Sequence, residues 1–262
     1  MILNRIRIAN FRNHGHTEID CPDGTLLLVG ENGAGKTSVL EAVSLLCTSR
    51  SFVTHLDRSL LRRDAARFEV EGSFTSSSAS ARSVHVRYDA DPGRKLLEMD
   101  NAPLAAASDL IGVFPLVALS PQHRPITAGG PGERRSFIDF VISQLHHRYL
   151  LDLIAYRRIL RQRNALLADG NQRPADVRAT LEAWDTSLAE SAVRILRHRK
   201  RFVDAFVPYL QTSMQGMIGS RENISLRYVQ TVDIDVAADD ATEAYRTVLA
   251  RRFDNDLRRG NT

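Results

Sequence analysis

The stretch Leu26-Leu27-Leu28-Val29-Gly30-Glu31-Asn32-Gly33-Ala34-Gly35-Lys36-Thr37-Ser38-Val39-Leu40 decides the fold. Its first four residues are a continuous apolar run, the pattern of a strand buried on both faces. Residues 30–37 fit G-x-x-x-x-G-K-[ST], the phosphate-binding Walker A loop. After the loop, Val39, Leu40, Val43, Leu46 and Cys47 recur at helical spacing and predict a helix from Lys36 to Thr48. A strand running into a glycine-rich loop that opens a helix suits the chemistry. The loop amides of Gly30, Glu31, Asn32, Gly33, Ala34 and Gly35 can line an anion-binding nest at the helix N-terminus. Lys36 then places an ammonium on the β- and γ-phosphates, and the Thr37 hydroxyl is positioned to ligate Mg²⁺. ATP and Mg²⁺ are the expected cofactors.

Outward from this loop, the first third reads as strands around one helix. Ile6 and Ile8 alternate with arginines, a strand with one exposed face. Phe68, Val70 and Phe74, then Val84, Val86 and Tyr88, alternate on either side of a serine-rich turn at Ser76 to Ser80 and predict an antiparallel hairpin. Val113 to Leu119 reads as a short strand interrupted by Pro115 and ending at Ser120-Pro121-Gln122. The middle differs in kind. An apolar stripe of Phe137, Val141, Leu145, Tyr149, Leu153, Tyr156 and Leu160 predicts one long helix from Arg134 to Leu167. Asp169-Gly170-Asn171 supplies a turn, and Pro174 suits the first turn of a second helix ended by Pro208. The two should form an antiparallel helical hairpin. Leu226 and Tyr228 return to period two, Val232-Asp233-Ile234-Asp235 reads as an edge strand or an acidic loop, and Thr242 to Leu257 reads as a last helix. The expected organisation is an α/β nucleotide-binding lobe over 1–133, an inserted helical arm over 134–209 and a return segment over 210–262.

Composition bounds the function classes. The 262 residues are 43% hydrophobic and 25% charged, which is ordinary for a globular chain. No apolar run approaches the roughly 18 residues of a membrane span, and the N-terminus carries no secretory pattern, so a cytoplasmic protein without a membrane partner is expected. Cys21 and Cys47 form no metal-ligand spacing, and His14 and His16 lack a third ligand. The net charge of +4 is too mild to identify a nucleic-acid partner. It is unevenly spread, however: Glu133 to Arg201 carries 14 Lys and Arg against 8 Asp and Glu. Lys36, Lys95 and Lys200 are the only lysines. Such arginine usage fits either a codon bias or a need for guanidinium forks on phosphates and carboxylates. Arg134 and Arg135 could grip DNA phosphate or pair with Asp139 one turn on. Arg157, Arg158, Arg161 and Arg163 cover more than one side of a helix, as a solvated face or a DNA contact.

Five motifs in order then carry a resemblance. Asn10-Phe11-Arg12-Asn13 precedes the phosphate loop, and Ser49-Arg50-Ser51-Phe52 follows its helix. Gly130-Pro131-Gly132-Glu133-Arg134-Arg135-Ser136-Phe137-Ile138-Asp139 comes next, followed by Tyr149, Tyr156 and Leu160-Arg161-Gln162-Arg163-Asn164-Ala165-Leu166-Leu167, and then Trp184-Asp185 with Leu188-Ala189. Together these resemble the N-terminal part of the RecF family, gap-repair ATPases in the chromosome-maintenance branch of the ABC-type ATPases. The resemblance implies an ABC-type P-loop lobe with antiparallel strands and a helical-hairpin arm. It also implies Arg12 beside the nucleotide, an ATP-dependent homodimer, and binding to single-stranded and gapped duplex DNA. Cooperation with RecO and RecR in loading RecA during replication, repair and the SOS response follows from the same resemblance.

Two departures bear on activity. Pro121-Gln122-His123 stands where the family has Pro-Glu-Asp; Gln122 is of the type that senses Mg²⁺ and water in related ATPases. No four apolar residues precede Asp-Asp or Asp-Glu, and no Ser-x-Gly-Gln signature occurs. The sequence therefore reads as ending before the family's second ATPase lobe, which leaves hydrolysis by this chain in doubt. Two other readings remain. A nucleotide subunit of an ABC transporter would need both missing motifs and a membrane partner, and the basic arm speaks against it. A non-catalytic ATP-binding module is compatible with the truncation.

Overall fold

The computed structural model describes residues 1–76, 80–169, 174–218 and 224–262, with Gln122 described by its backbone only. Contacts divide the chain into two compact units, Met1–Phe137 and Ile138–Thr262.

The first unit is built on a six-stranded antiparallel sheet and the helix that packs against it. Its strands are β1 (Ile2–Phe11), β2 (His14–Asp20), β3 (Arg67–Thr75), β4 (Ala81–Asp89), β5 (Arg94–Met99) and β6 (Ala102–Pro103), in spatial order β2-β1-β3-β4-β5-β6. The hairpin expected from alternation forms, with Phe68 opposite Tyr88, Val70 opposite Val86 and Gly72 opposite Val84. Residues 77–79 of its serine-rich turn lie outside the described residues. Period two puts Ile6, Ile8, Phe68, Val70, Phe74, Val84, Val86 and Tyr88 on one face, all buried. Against that face lies α1 (Lys36–Thr48), the helix predicted after the loop, with Val39, Ala42, Leu45, Leu46 and Cys47 buried. Fully buried apolar side chains contribute roughly 1.5–3 kcal/mol each, so this layer dominates the stability of the unit.

Two expected strands do not form. Leu26 to Val29 and Val113 to Leu119 are irregular, and neither takes a place in the sheet. Leu27 is 78% exposed, Val29 83%, Val117 87% and Leu119 93%. Leu28, Val113 and Leu116 still pack against the core. The apolar content was read correctly, but a strand also needs a hydrogen-bonding neighbour. Among the described residues neither run is paired to a strand of the sheet.

The second unit is a bundle of α4 (His147–Ala168), α5 (Pro174–Ile218) and α6 (Ala241–Arg259); the end of α3 (Pro131–Leu145) also belongs to it, and a short α2 (Pro125–Ala128) precedes α3. The predicted single helix from Arg134 to Leu167 is broken: His146, at φ −136° and ψ 96°, separates α3 from α4. The helix expected to end at Pro208 instead runs through it for 45 residues. Pro208 removes the bond to the Asp204 carbonyl, but both residues are exposed, so water can satisfy that oxygen. The turn residues 170–173 lie outside the described residues. α4 and α5 pack as the expected antiparallel pair: Leu167 meets Val177 and Leu181 at one end, and Tyr149 and Leu153 meet Ile195 at the other. Residues 210–262 contribute α6, whose Tyr245 and Leu249 pack on Leu188, Ala189 and Ala192 of α5. Leu226 to Tyr228 is irregular rather than a strand, and Val232 to Asp235 is a loop.

A buried ion pair ties the three helices. Arg163, read in the sequence as part of an exposed cluster, is fully buried. Its Nε donates to Asp185 of α5 at 2.7 Å, and its Nη1 donates to Asp256 of α6 at 2.9 Å and to the Thr262 hydroxyl at 2.7 Å. Arg163→Ala would strand two aspartates without their cation. We expect a loss of about 3–5 kcal/mol in urea unfolding of the bundle, against under 1 kcal/mol for the exposed Arg158→Ala.

Candidate functional site

The loop of residues 30–35 enters α1 through Gly35, which has φ +96° and caps the helix in the left-handed region. A Cβ there would lie 2.4 Å from His14 Nε2 and 2.8 Å from Asn13 Oδ1. Only glycine satisfies both the torsion and the close approach.

The neighbours responsible come from the tight turn between β1 and β2. Asn13 Nδ2 donates to the Gly33 carbonyl at 2.9 Å, its Oδ1 accepts from Ser38 at 3.4 Å, and His14 Nε2 contacts the Gly35 carbonyl at 3.1 Å. Two side chains thus turn the loop carbonyls toward β1 and β2. Lys36 lies across the loop, its Nζ donating to the carbonyls of Gly30 and Glu31, each at 2.7 Å. Thr37 is exposed in the first turn of α1.

Arg12 is directed elsewhere. Its Nε and Nη2 grip both oxygens of Glu41 at 3.1 and 2.8 Å, and its Nη1 donates to the Ser59 carbonyl at 3.0 Å. Glu41 sits in the second turn of α1 and is 3% exposed; Ser51 donates to it at 2.6 Å. Two of the sequence motifs, Asn10 to Asn13 and Ser49 to Phe52, therefore meet on one buried carboxylate. The sequence reading missed Glu41, Asn13 and His14 as site residues. The available signal was a lone acid within the apolar stretch 39–47.

Gln122 falls in a one-turn 3₁₀ segment, Pro121–His123, capped by Ser120 through the His123 ring at 2.9 Å. Its side chain lies outside the described residues.

Of the arginines read as DNA contacts, Arg134 donates to the Gly129 carbonyl at 2.9 Å rather than to Asp139. Arg135, Arg157, Arg158 and Arg161 are all exposed. Asp139 is buried and engaged in the second unit: it accepts from Tyr149 at 2.5 Å and from Arg199 at 2.8 and 2.9 Å, with Arg157 more distant at 3.4 Å. Burial pushes the Tyr149 phenol up, against the opposing pull of Arg199, so Tyr149 stays a neutral donor to Asp139. The structure therefore leaves Arg158 and Arg161 exposed on α4, with Arg157 lightly tethered beside them.

A glycine loop at a helix N-terminus, with its lysine folded across it, is the arrangement of a P-loop nucleotide-binding domain. Residues 5–154 match the AAA domain family. Over its whole length the chain is 35% identical to the DNA replication and repair protein RecF of Salinibacter ruber and spans 64% of that relative. It is also 35% identical to RecF of Chloroherpeton thalassium, of which it spans 72%. A solved structure of the recombination mediator protein RecF with ATP, from the RecFOR pathway, superposes with a TM-score of 0.90 at 26% identity, covering all of this chain and 69% of that one. The chain belongs to the RecF family.

Replacing Gly35 with alanine should displace Asn13 and His14 and distort the amide nest. We expect at least a tenfold loss of ATP affinity by calorimetry with the melting transition of the arm unchanged.

Proposed function

We propose that this chain is an ATP-binding DNA-repair protein that works as other RecF proteins do. The observation that carries the reading is the loop at Gly30 to Thr37, propped by Asn13 and His14 at the start of α1. In this reading the amides of residues 30–35 take the phosphates. Lys36 leaves its two carbonyl partners for the β- and γ-oxygens, and Thr37 ligates Mg²⁺, with Gln122 as a further candidate near the metal. Arg12 serves the nucleotide by fixing α1 through Glu41. Mg²⁺ supplies charge neutralisation on the phosphates; the chain's residues orient them. Nucleotide binding is the activity that these residues support. ATP-dependent pairing with a second copy belongs to the same proposal.

DNA is the proposed partner, gripped by exposed arginines: Arg134 and Arg135, and Arg157, Arg158 and Arg161 on α4. Cooperation with RecO and RecR in loading RecA, within replication, repair and the SOS response, extends this by family membership. A cytoplasmic site of action accords with a DNA partner, and no helix among the described residues is long and apolar enough to cross a membrane.

Two experiments test the proposal. Lys36→Ala should reduce Mg-ATP binding at least tenfold while leaving helix content intact; equal calorimetric affinities would reject the loop assignment. Changing Arg157, Arg158 and Arg161 to glutamine should flatten the slope of log K against log salt for duplex DNA by up to about 0.9 per lost phosphate contact. ATP binding should not change. An unchanged slope would move DNA off the arm.

A further inference from the structure

On the sheet face opposite the core, three strands bring a histidine and three carboxylates together. Glu69 and Glu71 lie two apart on β3 and so share a face. Register puts His85 of β4 directly opposite Glu71, and Glu98 of β5 directly opposite His85. One ligand atom from each of Glu69, Glu71 and His85 lies within 4.8 Å of the other two.

The histidine is the telling member. Its Nδ1 lies 3.4 Å from Glu98 Oε2, while its Nε2 is enclosed and makes no hydrogen bond. Glu69 Oε2 stands 3.8 Å from that nitrogen. Nε2 thus faces a carboxylate with no hydrogen bond between them, at the place a shared cation would take.

The arginines nearby are mostly drawn elsewhere. Arg87 turns to Asp89 at 3.0 Å, Arg5 to Asp20 at 2.6 Å and Arg7 to Glu18 at 3.2 Å. The arginine contacts of Glu69 and Glu71 are long, 3.9 Å to Arg67 and 3.8 Å to Arg7. Both carboxylates are partly exposed, and Glu71 and His85 line a groove of ≈400 Å³, so an ion would approach from the carboxylate side.

We propose that Glu69, Glu71 and His85 bind a divalent transition-metal ion, Zn²⁺ in the first instance. Imidazole nitrogen and carboxylate oxygen are both zinc donors, and three such ligands leave the fourth tetrahedral position for water. Glu98 would orient the imidazole from behind, as carboxylates do at histidine–metal sites. Tetrahedral zinc ligands stand roughly 3.3 Å apart, so ligand atoms now within 4.8 Å of one another need to close by up to about 1.5 Å. The ion would clip β3 to β4 on the outer face of the sheet, apart from any nucleotide.

The test uses the chelator-stripped full chain, titrated with ZnCl₂ by calorimetry and with Co²⁺ by its visible absorption. One equivalent should bind, and His85→Ala and Glu71→Gln should each weaken binding at least tenfold. Glu98→Gln should weaken it about tenfold as an orienting residue, and Lys36→Ala should leave it unchanged. Circular dichroism melts check that the variants fold; Glu71, being exposed, serves should His85→Ala not. Zinc binding unaltered in Glu71→Gln, or no binding by the wild-type chain at 100-fold molar excess, would overturn the proposal.

Discussion

The bidentate ion pair between Arg12 and Glu41 is the constraint on which the first unit depends. Glu41 lies on the buried side of α1, where an unpaired carboxylate would be costly. Arg12 neutralises it from the turn that follows β1, and Ser51 adds a hydrogen bond from the segment after the helix. Once α1 is locked to that turn, Asn13 and His14, the next two residues, are held at Gly33 and Gly35. The shape of the phosphate loop is thus inherited from an interaction one to two helical turns away. Removing either partner leaves the other charge unpaired, so the pair resists piecemeal change.

The second unit repeats this logic with opposite signs of partner. Asp139 is the buried anion, held by Arg199 from α5 and Tyr149 from α4, while Arg163 is the buried cation, held by Asp185 and Asp256. Each is a charge placed inside an apolar stripe, and each joins helices far apart in sequence. Such pairs add little over a well-packed apolar core in net stability, but they fix which faces of the helices meet.

What was legible in the sequence was local. The loop and α1 were read to the residue because glycine placement, lysine and apolar period all agree within a dozen positions. The β3–β4 hairpin was equally plain from its alternation. Leu26 to Val29 and Val113 to Leu119 were misread because strand formation is a property of two segments, and composition reports on one. The break at His146 was hidden because the apolar stripe continues in phase on both sides. Pro208 misled in the other direction: it lies on an exposed face, where water can satisfy the freed carbonyl and the helix continues past it. At the site, Lys36 and the glycines were visible, whereas Glu41, Asn13 and His14 were not. Their roles arise from contacts across 20 residues or more, which no spacing rule encodes.

The position of Lys36 has a consequence for selectivity. Its ammonium already holds two carbonyl oxygens of the loop, so those carbonyls are internal competitors for any incoming anion. A ligand must offer more than the two bonds it displaces. A small monoanion offers one weak replacement and leaves both carbonyls bare. In the proposed role a polyphosphate chain would present several oxygens to the ammonium and engage the amides along the nest. The two carbonyls would then set a threshold on anion charge and length.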